Sequence, residues 1–240
     1  LQRARRGMTR KALAQQSGVS ERFISAVETG TGNGSILLLR AIAQALNVPL
    51  MAVLEDEAAP PPAPAVRAEG YRQRVALIGL RGAGKSTLGP LLAARMGVPF
   101  VQLDREIERV AGLGLGEILE LHGQAGFRRL EHDVLAALLA AHPALVLEAG
   151  GGVVAEAETY ATLRAGCFTI WLRASPEEHM QRVIDQGDLR PMRDNRHALD
   201  DLRAILASRE ALYAQADAAV DTAGRAVHEC LRELEGVVGT

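Results

Sequence analysis

The chain has 240 residues, 48 % of them hydrophobic and 23 % charged, with a formal net charge of −2, room for one medium domain and a small one. Its two cysteines, Cys167 and Cys230, are far apart, which excludes a disulfide framework and a cysteine-based zinc module. There is no apolar run of about 18 residues and no leader with an apolar stretch, so the expectation is a cytoplasmic protein with no membrane partner. Leu1 in place of methionine points to a missing N-terminal piece.

The net charge hides a basic module. Residues 1–40 carry Arg3, Arg5, Arg6, Arg10, Lys11, Arg22 and Arg40 against only Glu21 and Glu28. Thr9 to Gln16 reads as a helix with Thr9 as N-cap, and Ser17-Gly18-Val19 as a tight turn in which Gly18 is free to take a positive φ. Ser20 then caps a second helix running through Glu28, with Phe23, Ile24 and Val27 as its buried face. A further helix, Ile36 to Leu46, packs behind. That is helix-turn-helix spacing. The segment from Leu13 to Gly30, with Leu37 to Leu50, resembles the Cro/C1-type (XRE) family over about 50 residues. The resemblance implies that the second helix enters the major groove of operator DNA, with Ser20, Glu21, Arg22 and Ser25 as base and phosphate contacts, and that the protein is a homodimer on paired half-sites. Thr31-Gly32-Asn33-Gly34 replaces the family's usual proline-containing turn, and a more flexible link is expected there.

Residues 57–70 hold prolines at 60, 61, 62 and 64. A polyproline II spacer of that length reaches up to roughly 40 Å. The sequence therefore divides into a helix-turn-helix domain at 1–56, a linker at 57–70 and a larger domain at 71–240.

The larger domain begins with a buried-strand run, Val75 to Ile78, followed by Gly79-Leu80-Arg81-Gly82-Ala83-Gly84-Lys85-Ser86, the spacing G-x-x-x-x-G-K-[ST]. Glycines let backbone N–H groups crowd a phosphate, a lysine adds a point charge, and a serine hydroxyl can hold magnesium. Gly79, Gly82, Ala83, Gly84, Lys85, Ser86 and Thr87 are the expected phosphate contacts, with Ser86 the metal ligand. Lys11 and Lys85 are the only lysines among 27 basic residues, and a compact ammonium suits a phosphate. Thr87 to Met96 reads as the next helix, with Pro90 expected to kink it. Apolar runs at 75–79, 99–103, 145–148, 168–172 and 218–221 alternate with helical patterns, the signature of a parallel sheet covered on both faces.

Further motifs follow in order: Phe100 to Gly112, Gly126 to Glu131, Gly150 to Gly152, Leu189-Arg190-Pro191 and Ser208 to Tyr213. With the phosphate loop, they make the domain resemble shikimate kinase over about 165 residues. The fold implied is an α/β P-loop kinase-like domain, a five-stranded parallel sheet with helices on both faces, preceded by the small all-α domain. The resemblance implies ATP and magnesium as cofactors. It also implies an acid-binding ring pocket lined by Asp104, Arg128, Gly150, Gly151, Gly152, Arg190 and Arg209, with Arg128 and Arg209 clamping a carboxylate. In an active enzyme Asp104 and Arg190 would be catalytic, Arg190 neutralising the transferring phosphoryl group. The sequence departs from the family where metal is held. Gln102-Leu103-Asp104 stands in place of D-x-D, and Glu148 takes a position that is usually small and neutral.

The two domains together resemble the regulators of benzoate degradation that respond to benzoyl-CoA. That resemblance implies a repressor whose effector, an aromatic acyl-CoA, occupies the former active site while the linker carries the signal. The alternative is an active shikimate kinase with an accessory DNA-binding domain.

Overall fold

The computed structural model describes residues 2–28, 35–50, 53, 67–68, 70–185 and 198–239. The link at 31–34, the prolines of the linker and Arg190 lie outside the described residues.

The N-terminal domain, hereafter the reader, begins with α1 (Gln2–Arg5), followed by α2 (Arg10–Ser17), α3 (Glu21–Glu28) and α4 (Ile36–Ala45). Thr9 accepts a hydrogen bond from Ala12 N at 3.1 Å, and Ser20 Oγ accepts one from Phe23 N at 3.3 Å, so both expected caps are formed. Gly18 takes φ 69° and closes α2 through its N–H to Ala14 O. The core is Met8, Leu13, Val19, Ile24, Ile42 and Leu46. Of the expected inner face of α3, Ile24 is buried, while Phe23 and Val27 are half-buried.

The larger domain runs β1 (Arg74–Ile78), α5 (Lys85–Met96), β2 (Phe100–Gln102), α6 (Leu103–Ala111), α7 (Leu115–Ala141), β3 (Leu145–Glu148), α8 (Ala157–Gly166), β4 (Phe168–Arg173), α9 (Pro176–Asp185), α10 (Ala198–Tyr213), β5 (Ala218–Asp221) and α11 (Val227–Val238). The strands form one parallel sheet in the order β2-β3-β1-β4-β5. Alternation along β1 sends Ala76 and Ile78 into one core with Leu103, Ile107, Leu135 and Leu147, and Val75 and Leu77 into the other with Leu92, Ile170 and Leu234. Helices thus cover both faces. Because β1 has β3 on one side and β4 on the other, the loop after it opens at the point where the strand order reverses, the usual ligand crevice of such sheets.

Two local expectations need correction. The helix after the phosphate loop starts at Lys85 rather than Thr87 and continues through Pro90 to Met96. The sharp break falls instead at Gly123 in α7, with φ 63° and ψ −178°, where a residue without Cβ takes the left-handed φ freely. That break sets the direction of the following segment, which carries Arg128.

The reader packs directly on the larger domain. Helix α1 lies against α10, and Arg6 Nη1 reaches Glu156 Oε1 at 2.9 Å. The linker's last described residues are fixed to the same body: Ala68 N donates to Ala165 O at 2.8 Å and Arg67 pairs with Asp217.

Candidate phosphate and acid site

The phosphate loop is shaped by close approaches. Gly79 has φ 143°, and a Cβ there would lie 2.5 Å from Leu172 O; Gly82 has φ 79°, and a Cβ would lie 2.7 Å from His179 O. No side chain fits either position. Gly84, also left-handed at φ 93°, sits just before α5, which aims the helix N-terminus and its unpaired N–H groups at the cavity. Lys85 is buried and donates to Gly79 O at 2.8 Å and Leu80 O at 3.0 Å. Burial lowers its pKa, opposed by the nearby carboxylates of Glu148 and Asp104.

Three residues that the sequence reading missed hold the loop from behind. His179, itself buried, hydrogen-bonds Arg81 O through Nδ1 at 2.8 Å. Since a carbonyl only accepts, Nδ1 carries the proton. Arg182 donates to Gly82 O at 3.2 Å and to Thr222 Oγ1 at 2.9 Å, and the Thr222 hydroxyl lies between Arg173 O at 2.9 Å and Ala83 O at 3.3 Å. His179 sits on α9 among polar neighbours in sequence. Only its burial against a loop 98 residues earlier reveals its role.

In front of the loop lies a cavity of about 610 Å³, lined by Lys85, Ser86, Gln102, Asp104, Glu148 and Gly150 among others. A second cavity, about 320 Å³, opens beside Thr87, bordered by Arg182, Thr222 and Arg225. The expected phosphate contacts Gly82, Gly84, Lys85 and Ser86 all border the first cavity. Ala83 is buried, and Gly79 acts as a carbonyl partner to Lys85.

The three glycines are more than a turn, because each faces a different part of the site. A Cβ on Gly150 would lie 3.1 Å from Asp104 Oδ1, one on Gly151 3.1 Å from Gly79 O, and one on Gly152 2.6 Å from Arg128 Nη2. Gly151 O also accepts from Arg209 Nη1 at 2.7 Å and from Tyr213 Oη at 2.6 Å. The expected ring-pocket residues Asp104, Arg128, Gly150 to Gly152 and Arg209 therefore meet around one turn. Neither arginine borders the cavity in front of the phosphate loop. Arg128 pairs with Glu131 at 2.6 Å, and its Nε, buried without a hydrogen bond, reaches Glu156 Oε1 at 3.5 Å. Glu131 is 1 % exposed, and burial pushes its carboxyl pKa up against the opposing field of Arg128. Burial likewise raises the pKa of Asp104, with Lys85 opposing and Glu148 reinforcing.

Asp104 lies in the first turn of α6 without capping it; the N-cap is Gln102, which makes no side-chain cap bond. Gln102 and Glu148 are register partners on the parallel strands β2 and β3, and Gln102 Nε2 donates to Glu148 Oε2 at 2.8 Å.

Residues 81–236 match a family model described as shikimate kinase, and residues 1–52 match one described as helix-turn-helix. The chain belongs to the shikimate kinase family. It is 42 % identical to a shikimate kinase of Nitrobacter winogradskyi over 159 residues, 66 % of this chain and 73 % of that one. With a shikimate kinase of Bradyrhizobium diazoefficiens it is 38 % identical over 180 residues, 73 % of this chain and 86 % of the relative. Among solved structures, shikimate kinase from Acinetobacter baumannii in complex with shikimate superposes with a TM-score of 0.62 at 32 % identity, covering 69 % of this chain and 93 % of that one. The N-terminal part left over holds the XRE-type helix-turn-helix domain. Its expected DNA contacts Ser20, Glu21 and Arg22 are exposed, and Ser25 is half-buried.

The family uses ATP and magnesium, so the donor set can be tested against that ion. The nucleotide phosphates fit: the glycine cradle, Lys85 and Ser86 are in place. The magnesium position is altered. Mg²⁺ is usually held by one or two carboxylates together with waters and substrate phosphates, so the change of a single carboxylate alters its site. Gln102 brings an N–H donor where a carboxylate is expected and spends Glu148 Oε2 on it. Asp104, its charged form disfavoured by burial, and Glu148 Oε1 are the carboxylate oxygens left facing the cavity.

Proposed function

We propose that this shikimate-kinase-family protein is a DNA-binding transcription regulator, a repressor of aromatic-compound (benzoate) catabolism, and that its larger domain is an effector pocket for an aromatic acyl-CoA, benzoyl-CoA. The helix-turn-helix domain supports the regulatory half of this reading. The observation that carries the effector half is the docking of the reader against Arg209 and against Glu156, the partner of Arg128, since a domain that reads DNA gains from touching residues expected to bind a ligand. The phosphate cradle suits the pyrophosphate of coenzyme A. A benzoyl ring, like shikimate, is a six-membered carbon ring bearing a carboxyl-derived carbon. Arg190, outside the described residues, is assigned to the same pocket. The reader would act as a homodimer on paired half-sites.

Calorimetry with benzoyl-CoA, benzoate and shikimate tests the pocket. Benzoyl-CoA is expected to bind more tightly than the other two and to lower affinity for the operator, and Lys85→Ala is expected to weaken that response while ligand-free DNA binding persists. Equal affinities for benzoyl-CoA and benzoate would remove the cradle from the ligand site, and an operator affinity indifferent to benzoyl-CoA would end the sensor reading. A working ATP-dependent shikimate kinase is the second reading, favoured by the retained Lys85, Ser86, Asp104 and Arg209 and opposed by the Gln102–Glu148 pair.

A further inference from the structure

The segment of the reader before its DNA-facing helix meets the larger domain at three points, two of them at Arg209 and at Glu156, the partner of Arg128. Gly7, left-handed at φ 66°, passes so close to the pocket that a Cβ would lie 2.5 Å from Arg209 Nη2. Arg6 Nη1 donates to Glu156 Oε1 at 2.9 Å. Arg3, 4 % exposed, donates to Glu28 Oε1 at 2.5 Å and stands 3.7 Å from Asp201, near the start of the helix that carries Arg209.

Glu156 Oε1 is the hinge of this arrangement, because Arg128 approaches that same oxygen at 3.5 Å. One carboxylate oxygen therefore serves a pocket cation and a reader cation together. An anion entering between Arg128 and Arg209 offers Arg128 a better partner for its unbonded Nε and releases Glu156 Oε1 to Arg6. The anion also adds attraction for Arg6 itself. Both effects tighten the docking of the reader.

Docking has a second electrostatic consequence. Glu28, the last residue of the DNA-facing helix, accepts from both Arg3 and Arg10, and Arg10 lies 3.8 Å from Asp201. Arg10 occupies the first turn of α2, where a cation and the helix N-terminus suit a DNA phosphate. Asp201 places a negative charge from the other domain beside that cation.

We propose that Arg6 and Gly7 of the reader cover the acid site at Glu156 and Arg209, with Arg6 a positioning residue for an anionic ligand through the shared Glu156, and that the docked arrangement is the one that holds DNA weakly. This rests on the reading of the two domains as reader and effector pocket. It goes beyond that reading in placing the coupling at a direct contact rather than in the linker. By linkage, operator DNA must weaken ligand binding by the same factor that ligand weakens DNA binding.

The test uses the full-length protein and a duplex that it selects from a random library, with titrations in the absence of ligand and with benzoyl-CoA as the probe. Glu156→Gln with Asp201→Asn alters only the larger domain's side of the contact. Without ligand this variant is expected to bind the duplex at least about fivefold more tightly, the lower end of usual allosteric couplings, and with benzoyl-CoA its affinity is expected to stay constant. Glu210→Gln with Glu233→Gln makes the same change of charge on α10 and α11 outside the contact with the reader and is expected to leave DNA affinity within about twofold, as screening between separated charges requires. An unchanged or weaker affinity in the first variant, or an equal gain in the control, overturns the proposal. The ligand-free arm decides this even if benzoyl-CoA fails to bind, an outcome that would instead refute the effector assignment.

Discussion

Replacing Arg128 by methionine tests whether this expected acid-binding residue is also half of a structural ion pair. The guanidinium is 12 % exposed and its partner Glu131 1 % exposed, 2.6 Å apart. Methionine keeps most of the stem's packing but leaves a buried carboxylate without its hydrogen-bonded partner, Arg209 being the cation that remains in its field. Breaking such a pair by removing one partner costs about 3–5 kcal/mol. For a domain of this size each kcal/mol moves the melting temperature by about 2–4 °C, so a fall of about 6–20 °C is expected at pH 8. The cost must depend on pH in a defined direction. The folded-state pKa of Glu131 is already raised by burial and rises further without Arg128. A carboxyl with a raised folded pKa contributes its full stability below the unfolded value and loses it as pH rises through the folded value. The deficit should therefore be largest at pH 8 and shrink toward pH 5 as the carboxyl protonates. Glu131→Gln added to Arg128→Met should recover most of the loss at pH 8, since removing both partners of a buried pair is nearly neutral. Trp171, the chain's one tryptophan, is stacked on Tyr213 with ring centroids 5.4 Å apart inside the larger domain, so its fluorescence follows the unfolding of that domain. A deficit of equal size at pH 5 and pH 8, with no recovery in the double variant, would show that Glu131 is not an ionised partner of Arg128.

Arg22→Ala should weaken binding to the operator by about 1–3 kcal/mol, the worth of a good base contact, with the fold unchanged; an unaltered gel-shift titration would move the DNA-reading surface elsewhere. The unmodified protein should show negligible shikimate-dependent ATP hydrolysis in a coupled assay, and Gln102→Asp together with Glu148→Ala should raise it. The second change is needed because an aspartate at 102 would face Glu148 across a gap now bridged by a 2.8 Å hydrogen bond. Robust turnover by the unmodified chain would favour the kinase reading.

The elements of this protein that depend on neighbours in sequence were legible without coordinates. The phosphate loop follows from glycine spacing before a helix, the five strands from apolar runs between helical patterns, and the reader from two capped helices around Gly18. Each is set by backbone sterics and side-chain periodicity within a few turns of chain, which is why their positions needed adjusting by only a residue or two. The resemblance to a family also placed Asp104, Arg128 and Arg209 near one glycine turn, and the structure brings them there. What stayed hidden depends on partners far apart in the chain. His179 and Thr222 look like ordinary helix and loop residues until they are seen holding the loop carbonyls. The substitution of Gln102 reads as a lost charge, but the parallel register of β2 and β3 sets it against Glu148, 46 positions away, and turns two departures into one hydrogen bond. A proline-rich linker suggests separation of the domains, yet Arg6 meets Glu156 across 150 positions and Gly7 passes against Arg209. No pattern along the chain encodes such contacts, because a charge finds its counter-charge only after folding has fixed both surfaces; in this protein that final step decides whether the two domains stand apart or touch.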